Sequence, residues 1–513
     1  MEDSTPILVG AGQFTEKDVP PQDAHSPMGI AGEAAKAALA DTGVGDTLAP
    51  QIDTVAVTRI FPDSSNRPRL QHPWGRAENP PRAVARRVGA NPTNAIYTHV
   101  GGNTPQKMIN EMCERIVAGD VGVALLAGSE AIATAKAAAR AGLDLDWQED
   151  DEGSLEDRGI GGTFVTPHEF AHGIGIPIQT YPLFEQAIRK NQGESIDEHM
   201  LSMGKLFEPF TRVAAANPYS FYGVERTAEE LATVTPDNRF ICFPYPKWMN
   251  AMDGVNQGAA VILTSVGKAK QLGIDPAKWV FLHGCAEANE KILVSDRVNY
   301  HSSPAIKINT AKAFEMAGKT VDDIDFIDIY SCFPSAVEVA ADALGIAYDD
   351  PRGLTVTGGL PFFGGPGNNY SMNGIAQMAP MLRAKPGSFG LITANGGYLT
   401  KHATGIYSTT PTEGTWSRED PAGYQAEIDA MESPTVTETP DGAATIETYT
   451  VCFGRNGAER GIVIGRLDEN GHRFVANTPD DAATLNDLME HDSMGRSGTV
   501  STNGDGMSTF TPA

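Results

Sequence analysis

Residues 328–338 read DIYSCFPSAVE, with one thiol, Cys332, between an apolar run and a stretch of helix formers. Ser335 and Glu338 have the Ser-x-x-Glu spacing of a capping box, which predicts a helix starting just after the cysteine. A cysteine in front of a helix N-terminus faces the positive end of the backbone dipole, which favours thiolate. Ligand crevices of α/β sheets lie at the same place, beyond the C-terminal ends of strands. Cys332 is therefore a candidate nucleophile, set against the plainer reading of a small buried hydrophobe. A second stretch, HEFAH (168–172), places His168 and His172 one helical turn apart with Glu169 as a base, the zincin pattern. Gly173, Gly175 and Pro177 follow at once, where a zincin needs its helix to continue, so no metal site is expected there. A third, VGAGQF (9–14), opens like a dinucleotide loop. Thr15 stands where the third glycine belongs and EKDVPPQD does not open a helix, so a glycine turn after an edge strand is the expected structure. There is no Walker loop and no GxSxG elbow.

The elements that position these residues follow a repeat. One copy runs from the helical stretch GIAGEAAKAALADTG (29–43) to the strand QIDTVAVTR (51–59), then to a Gly-Gly turn and helix (101–120) and a closing strand VGVALLAGSEA (121–131). The other runs from NTAKAFEMAGKTVDD (309–323) to IDFIDIY (324–330), then to GGPGNNYSMNGIAQMAPML (364–382) and FGLITANGG (389–397). Helices alternating with short apolar strands predict parallel sheets covered by helices. Residues 132–250, which include GIPIQTYPLFEQAIRK, break the pattern and read as a loop or lid domain. The two α/β halves are placed at 1–131 with 251–270 and at 271–410, and a linker at 411–440. Residues 441–513 read as a small antiparallel barrel or sandwich with a mobile tail after Arg496.

The chain has 513 residues, 41% of them hydrophobic, and a net charge of -26. Such acidity disfavours nucleic-acid binding, and within the C-terminal region acidic residues outnumber arginine with no lysine present. Five scattered cysteines without a CxxC fit reduced thiols. With no apolar run near the roughly 20 residues of a membrane helix and no signal-peptide layout, a cytoplasmic protein without membrane partners is expected.

The segments ILVGAGQF, IVAGDVGVALLAGSEA, MNAMDGVNQGAAVILTS (249–265), GGLPFFGGPG and LITANGGY resemble the thiolase superfamily over residues 5–410. With ERGIVIGRLDENGHRFVANTPDD, the chain resembles the group called thiolase-like protein type 1, within the acetyl-CoA acetyltransferase family of lipid metabolism. The resemblance implies an α/β thiolase fold of duplicated αβαβα halves with a loop domain and an added C-terminal β-barrel. It implies coenzyme A or an acyl-CoA as ligand, none covalently bound. Thiolases use a nucleophilic cysteine, a Gly-His-Pro histidine, an acid/base cysteine and an oxyanion-hole motif. The matching positions are Gly102; Gly365, followed by Pro366; Ala394, or Asn395 if the alignment slips by one; and Tyr330-Ser331-Cys332-Phe333. The resemblance therefore implies an acyl-CoA-binding protein without ordinary thiolase activity, and moves Cys332 off the nucleophile position. A second reading is a retro-aldol carbon–carbon lyase on a β-hydroxyacyl-CoA, with Tyr330 as acid/base, if its pKa is lowered, and His402 and His99 beside it. A third is a scaffold acting through the barrel. Monomer and homodimer both remain open.

Overall fold

The computed structural model describes residues 1–65 and 73–513. In its body, PILVGAGQFT does not break into a turn. It forms one ten-residue strand, β1 (Pro6–Thr15). The strands that follow are β2 (Thr54–Val57), β3 (Asn94–Tyr97), β4 (Val123–Ala131), β5 (Glu156–Asp157), β6 (Phe240–Cys242), β7 (Tyr245–Pro246), β8 (Asn256–Ser265), β9 (Val280–Asn289), β10 (Phe326–Asp328), β11 (Phe389–Gly396) and β12 (Lys401–Ser408). All but β6 and β7 join one sheet, in the order β10-β11-β12-β9-β1-β8-β4-β2-β3-β5. Its two ends are parallel, as the helix–strand alternation predicts. The middle, from β11 to β4, is antiparallel, which corrects the expectation of parallel sheets. A short connection such as Gly397–Thr400 between β11 and β12 can only return the chain antiparallel.

The glycines of VGAGQF have a packing function. A Cβ at Gly10 would lie 2.4 Å from the Ala38 carbonyl oxygen and one at Gly12 2.3 Å from the Ala38 nitrogen. They let the helix Pro27–Asp41, whose buried face is Ala31, Ala34, Ala35 and Ala38, sit directly on β1. That corrects the expected edge-strand turn: β1 is central, and a side chain would push the helix away. The second half uses the same device. A Cβ at Gly284 in β9 would lie 2.0 Å from the carbonyl oxygen of Ala313 in the helix Pro304–Ala317. On the opposite face the helices Thr104–Ala118 and Tyr370–Ala384 share a core through Met108, Met112, Met372 and Met378.

The C-terminal strands are β13 (Gly442–Phe453), β14 (Ala458–Leu467), β15 (Arg473–Asn477), β16 (Ser497–Thr502) and β17 (Ser508–Pro512). They close as β13-β14-β15-β17-β16-β13, a five-stranded barrel. The segment after Arg496 supplies two of the five strands, so it is ordered structure and not a mobile tail. The barrel also departs from pure antiparallel pairing where Asn477 meets Thr509 in parallel. β6 and β7 extend it from the 132–250 region through the pair Cys452–Cys242. The segment before the barrel packs on the body: Trp416 is buried and its indole donates to the Leu282 carbonyl at 2.8 Å. Among the described residues no helix is long and apolar enough to cross a membrane.

Candidate active site

β10 ends at Asp328, and five residues lead into the helix Pro334–Leu344. Its N-cap is Phe333, which makes no side-chain cap bond. The expected capping box does not form, because Pro334 occupies the first helical position and shifts Ser335 inside the helix. The Ser335 hydroxyl lies 2.7 Å from the Tyr245 hydroxyl, and Glu338 is buried beside Glu185. Cys332 still precedes the helix, but only 7% of its surface is exposed. Burial pushes its thiol up to about 12. Desolvation of the anion outweighs the helix dipole here, so the sulfur stays protonated. Its neighbours are the Tyr181 hydroxyl and the Asn395 amide, 3.9 Å from the sulfur.

Tyr330 points at the turn that carries Gly102. A Cβ on Gly102 would lie 2.2 Å from the Tyr330 hydroxyl and 2.5 Å from the Asn395 carbonyl oxygen. The phenol therefore fills the space that a side chain at position 102 would need. Its ring meets Tyr370 edge-on, centroids 5.3 Å apart. Burial, then Cys332 and Tyr370, hold its pKa well above the ordinary phenol value. That is the opposite of the lowered pKa an acid/base Tyr330 requires: its neighbours are a second phenol, a thiol and an amide carbonyl, and among the described residues no cation is a cause of its shift.

The two Gly-rich turns are tied together. Gly101 N–H donates to the Asn368 side chain at 3.1 Å, and the Gly102 carbonyl accepts from the Ser371 hydroxyl at 2.7 Å. The landmark segment at 249–254 threads beside them: Ala251 N–H donates to the Cys332 carbonyl at 2.9 Å and Gly365 N–H to the Met252 carbonyl at 2.9 Å. Gly365 is buried, and a Cβ there would meet its neighbours at 3.4 Å, ordinary contact. Ala394 and Asn395 lie in β11 opposite Ala403 and His402. His402 is fully buried. Burial drops its imidazole to about 3, against a hydrogen bond to Leu399 that favours the proton, so the ring is neutral. A cavity of about 10 Å³ lies between Tyr330, Ala394, Asn395, Leu399 and His402. It holds at most one water. His99 lies at the half-exposed rim, its Nδ1 without a hydrogen-bond partner among the described residues. Burial, then Lys401, Arg158 and Lys107, lower its pKa.

Sequence reasoning missed Tyr181. It comes from the helix Pro177–Gln192 and stacks on Phe333 with centroids 4.3 Å apart. Its hydroxyl donates to the Gly397 carbonyl at 3.1 Å and accepts from Asn395 at 2.8 Å. A lone tyrosine on an amphipathic helix carries no signal of such a role.

HEFAH is structural. Its helix, Pro167–Ala171, lasts five residues, and Glu169 closes a capping box with Thr166. The other oxygen of Glu169 accepts from Ser295 N–H at 2.9 Å, which leaves no free base. His172 Nδ1 donates to the His168 carbonyl and Nε2 accepts from Ser508 N–H at 2.9 Å, pinning β17. A different trio, Glu185, His199 and Glu338, is fully buried with ligand atoms within 4.8 Å of one another, a spacing that can hold a metal. Direct hydrogen bonds already satisfy most of it: His199 Nε2 to Glu185 at 2.6 Å, His199 Nδ1 to Glu194 at 2.8 Å and the Tyr245 hydroxyl to Glu185 at 2.5 Å. That is a proton-sharing arrangement.

Residues 424–505 match the family described as the thiolase-like protein type 1 additional C-terminal domain. No curated protein matches the chain. Two solved structures share the fold at low identity: an Ltp2-ChsH2(DUF35) aldolase (17% identity, 79% of this chain and 98% of that one, TM-score 0.58) and an acetyl-CoA acetyltransferase from Syntrophomonas wolfei (15%, 80% and 100%, TM-score 0.56). A monomeric SCP2-thiolase like protein type 1 from Mycobacterium smegmatis superposes with TM-score 0.85 over 100% of both chains at 40% identity. With a thiolase fold, a matching barrel and that identity over its full length, the chain belongs to the SCP2-thiolase-like protein type 1 family.

Proposed function

We propose that this protein binds acyl-CoA on a thiolase fold without performing thiolase chemistry. One observation carries the reading: the Tyr330 hydroxyl occupies the place of a side chain at Gly102, so the site holds a phenol where the chemistry needs a nucleophile. The titratable groups around it agree. Cys332 and Tyr330 keep their protons and His402 cannot gain one at neutral pH. Losing a nucleophile costs many powers of ten in rate. Because the cavity behind Tyr330 admits no more than a water, the acyl group stops at the mouth, beside the Val100–Gly102 turn. A monomer fits this reading. The Mycobacterium smegmatis relative is described as monomeric. An acyl-CoA ligand places the protein in lipid metabolism.

The test combines calorimetry with a thiolysis assay. Acetyl-CoA at about a hundred times its Kd stabilises the fold by about 2.7 kcal/mol through linkage, while 3-ketoacyl-CoA and coenzyme A give no thiolytic product. The absence of any shift at saturating acyl-CoA, or steady thiolytic turnover, overturns the proposal.

A further inference from the structure

Lys401 opens β12 at the mouth of this site. It stands opposite Gly396, and Gly396 presses on the Gly101–Gly102 turn: a Cβ there would lie 2.9 Å from Gly101 Cα. The lysine reaches the same turn, its Nζ donating to the Val100 carbonyl at 3.1 Å. Phe164 lies 4.5 Å from it, and no carboxylate pairs with it among the described residues. The approach to Lys401 is unusual. Leu399 has φ +51°, a region that leucine seldom adopts. Arg297 holds that conformation by donating to the Tyr398 and Leu399 carbonyls at 2.9 and 2.8 Å. Strained backbone of this kind collects at functional sites.

We propose that Lys401 is an acyl acceptor, taking the acyl group of a coenzyme A thioester at the mouth of the Tyr330 site. The neutral amine attacks the thioester carbon, the C–N bond forms and the C–S bond breaks. The amine proton passes to the departing thiolate, giving an ε-amide and free coenzyme A thiol. Burial, and after it the charge of Lys107, lower the amine to about 8. About a quarter of it is then neutral at pH 7.5, against about one in a thousand for an ordinary lysine. His99 at the same rim is a neutral base. The proposal deepens the acyl-CoA reading and rests on it for the identity of the donor.

The experiment incubates the full chain at pH 7.5 with acetyl-CoA or with the small thioester acetyl-N-acetylcysteamine, and maps acetyl groups by peptide mass spectrometry. Lys401 is expected to acetylate at least tenfold faster than exposed lysines such as Lys36, with a rate that rises through pH 8 and levels off. Lys401→Arg removes that mark and leaves the melting temperature in place. If both thioesters mark Lys401, both readings stand. If only the small thioester does, the acyl acceptor stands and the coenzyme A donor falls. If neither marks Lys401 faster than Lys36, the proposal is overturned, whatever calorimetry shows for acyl-CoA binding.

Discussion

Two buried polar regions flank the start of the helix Pro334–Leu344, and Phe333 separates them. On one side the Tyr181 ring stacks on it at 4.3 Å, and on the other the Tyr245 ring at 5.6 Å. Behind Tyr245 lies the network of Glu185, His199, Glu194 and Glu338, where charge is retained. Burial opposes it, yet the hydrogen bonds and charge of Glu185 and then Glu194 hold the imidazolium above its ordinary pKa, and Glu185 is held below its own. Burial and the Glu185 charge keep Glu338 protonated. Around Tyr181 lies the candidate site, where burial favours the neutral forms of Cys332, Tyr330 and His402. Equal burial thus gives opposite outcomes. A buried charge survives where partners sit within hydrogen-bond reach on both sides, and is suppressed where the neighbours are phenols, a thiol and an amide. The charged region ties the helix Pro177–Gln192 to the helix Ile196–Ala216 through Glu185 and His199, whereas around Tyr181 burial leaves the thiol, the phenol and the imidazole uncharged.

The largest test of that contrast is His199→Leu. It leaves Glu185 and Glu194 facing each other without a cation. Breaking a buried pair from one side costs about 3–5 kcal/mol, read as a lower midpoint in urea. A loss under about 1 kcal/mol would mean that the network is not ionised. Next comes Gly102→Ala, which forces a methyl against the Tyr330 hydroxyl and the Asn395 carbonyl. Overpacking of this kind costs about 1–3 kcal/mol. Combining it with Tyr330→Phe recovers part of the loss, and a double-mutant cycle reports the coupling, expected above about 0.5 kcal/mol. Additive losses would show that the phenol does not fill that position.

The fold was legible because packing leaves marks in sequence. The small-residue helix at 29–43, the strand at 389–397 and the Gly-rich turns at 101–102 and 364–367 all read correctly, each through a periodicity or a glycine that backbone approach demands. The glycines of β1 were visible as a motif, but a close helix contact and a turn ask for the same residue. The strands after Arg496 were hidden because Ser, Thr and Gly are also what disordered tails contain; only the pairing with β13 and β15 gives them a place. Of the residues singled out in the sequence, Tyr330, Ala394 and His402 line one small cavity, and Cys332 lies 3.9 Å from the Asn395 amide beside it. Sequence could not give their protonation, which depends on burial by Tyr181 and Tyr370 from distant parts of the chain. The capping box at Ser335 failed for a local reason: Pro334 takes the first helical position and puts Ser335 inside the helix.

A pH dependence separates the two regions by sign. The folded pKa of His402 is depressed, from an ordinary value near 6.5 to about 3, so its stability is present above pH 6.5 and is lost as pH falls. Between pH 7 and pH 5 that loss is roughly 2 kcal/mol. The folded pKa of His199 is raised, so its contribution is complete below pH 6.5 and is lost as pH rises through the folded value. Denaturation midpoints at pH 5, 6, 7 and 8 should therefore respond to the two histidines in opposite directions. His402→Gln flattens the acid limb and leaves the alkaline limb. His199→Gln flattens the alkaline limb and leaves the acid one. Glu185 does not blur the comparison, since its carboxylate titrates below its ordinary pKa, outside this window. If His402→Gln leaves the acid limb unchanged, the imidazole is not held neutral by burial, and the contrast between the charged and the neutral region fails at its clearest point.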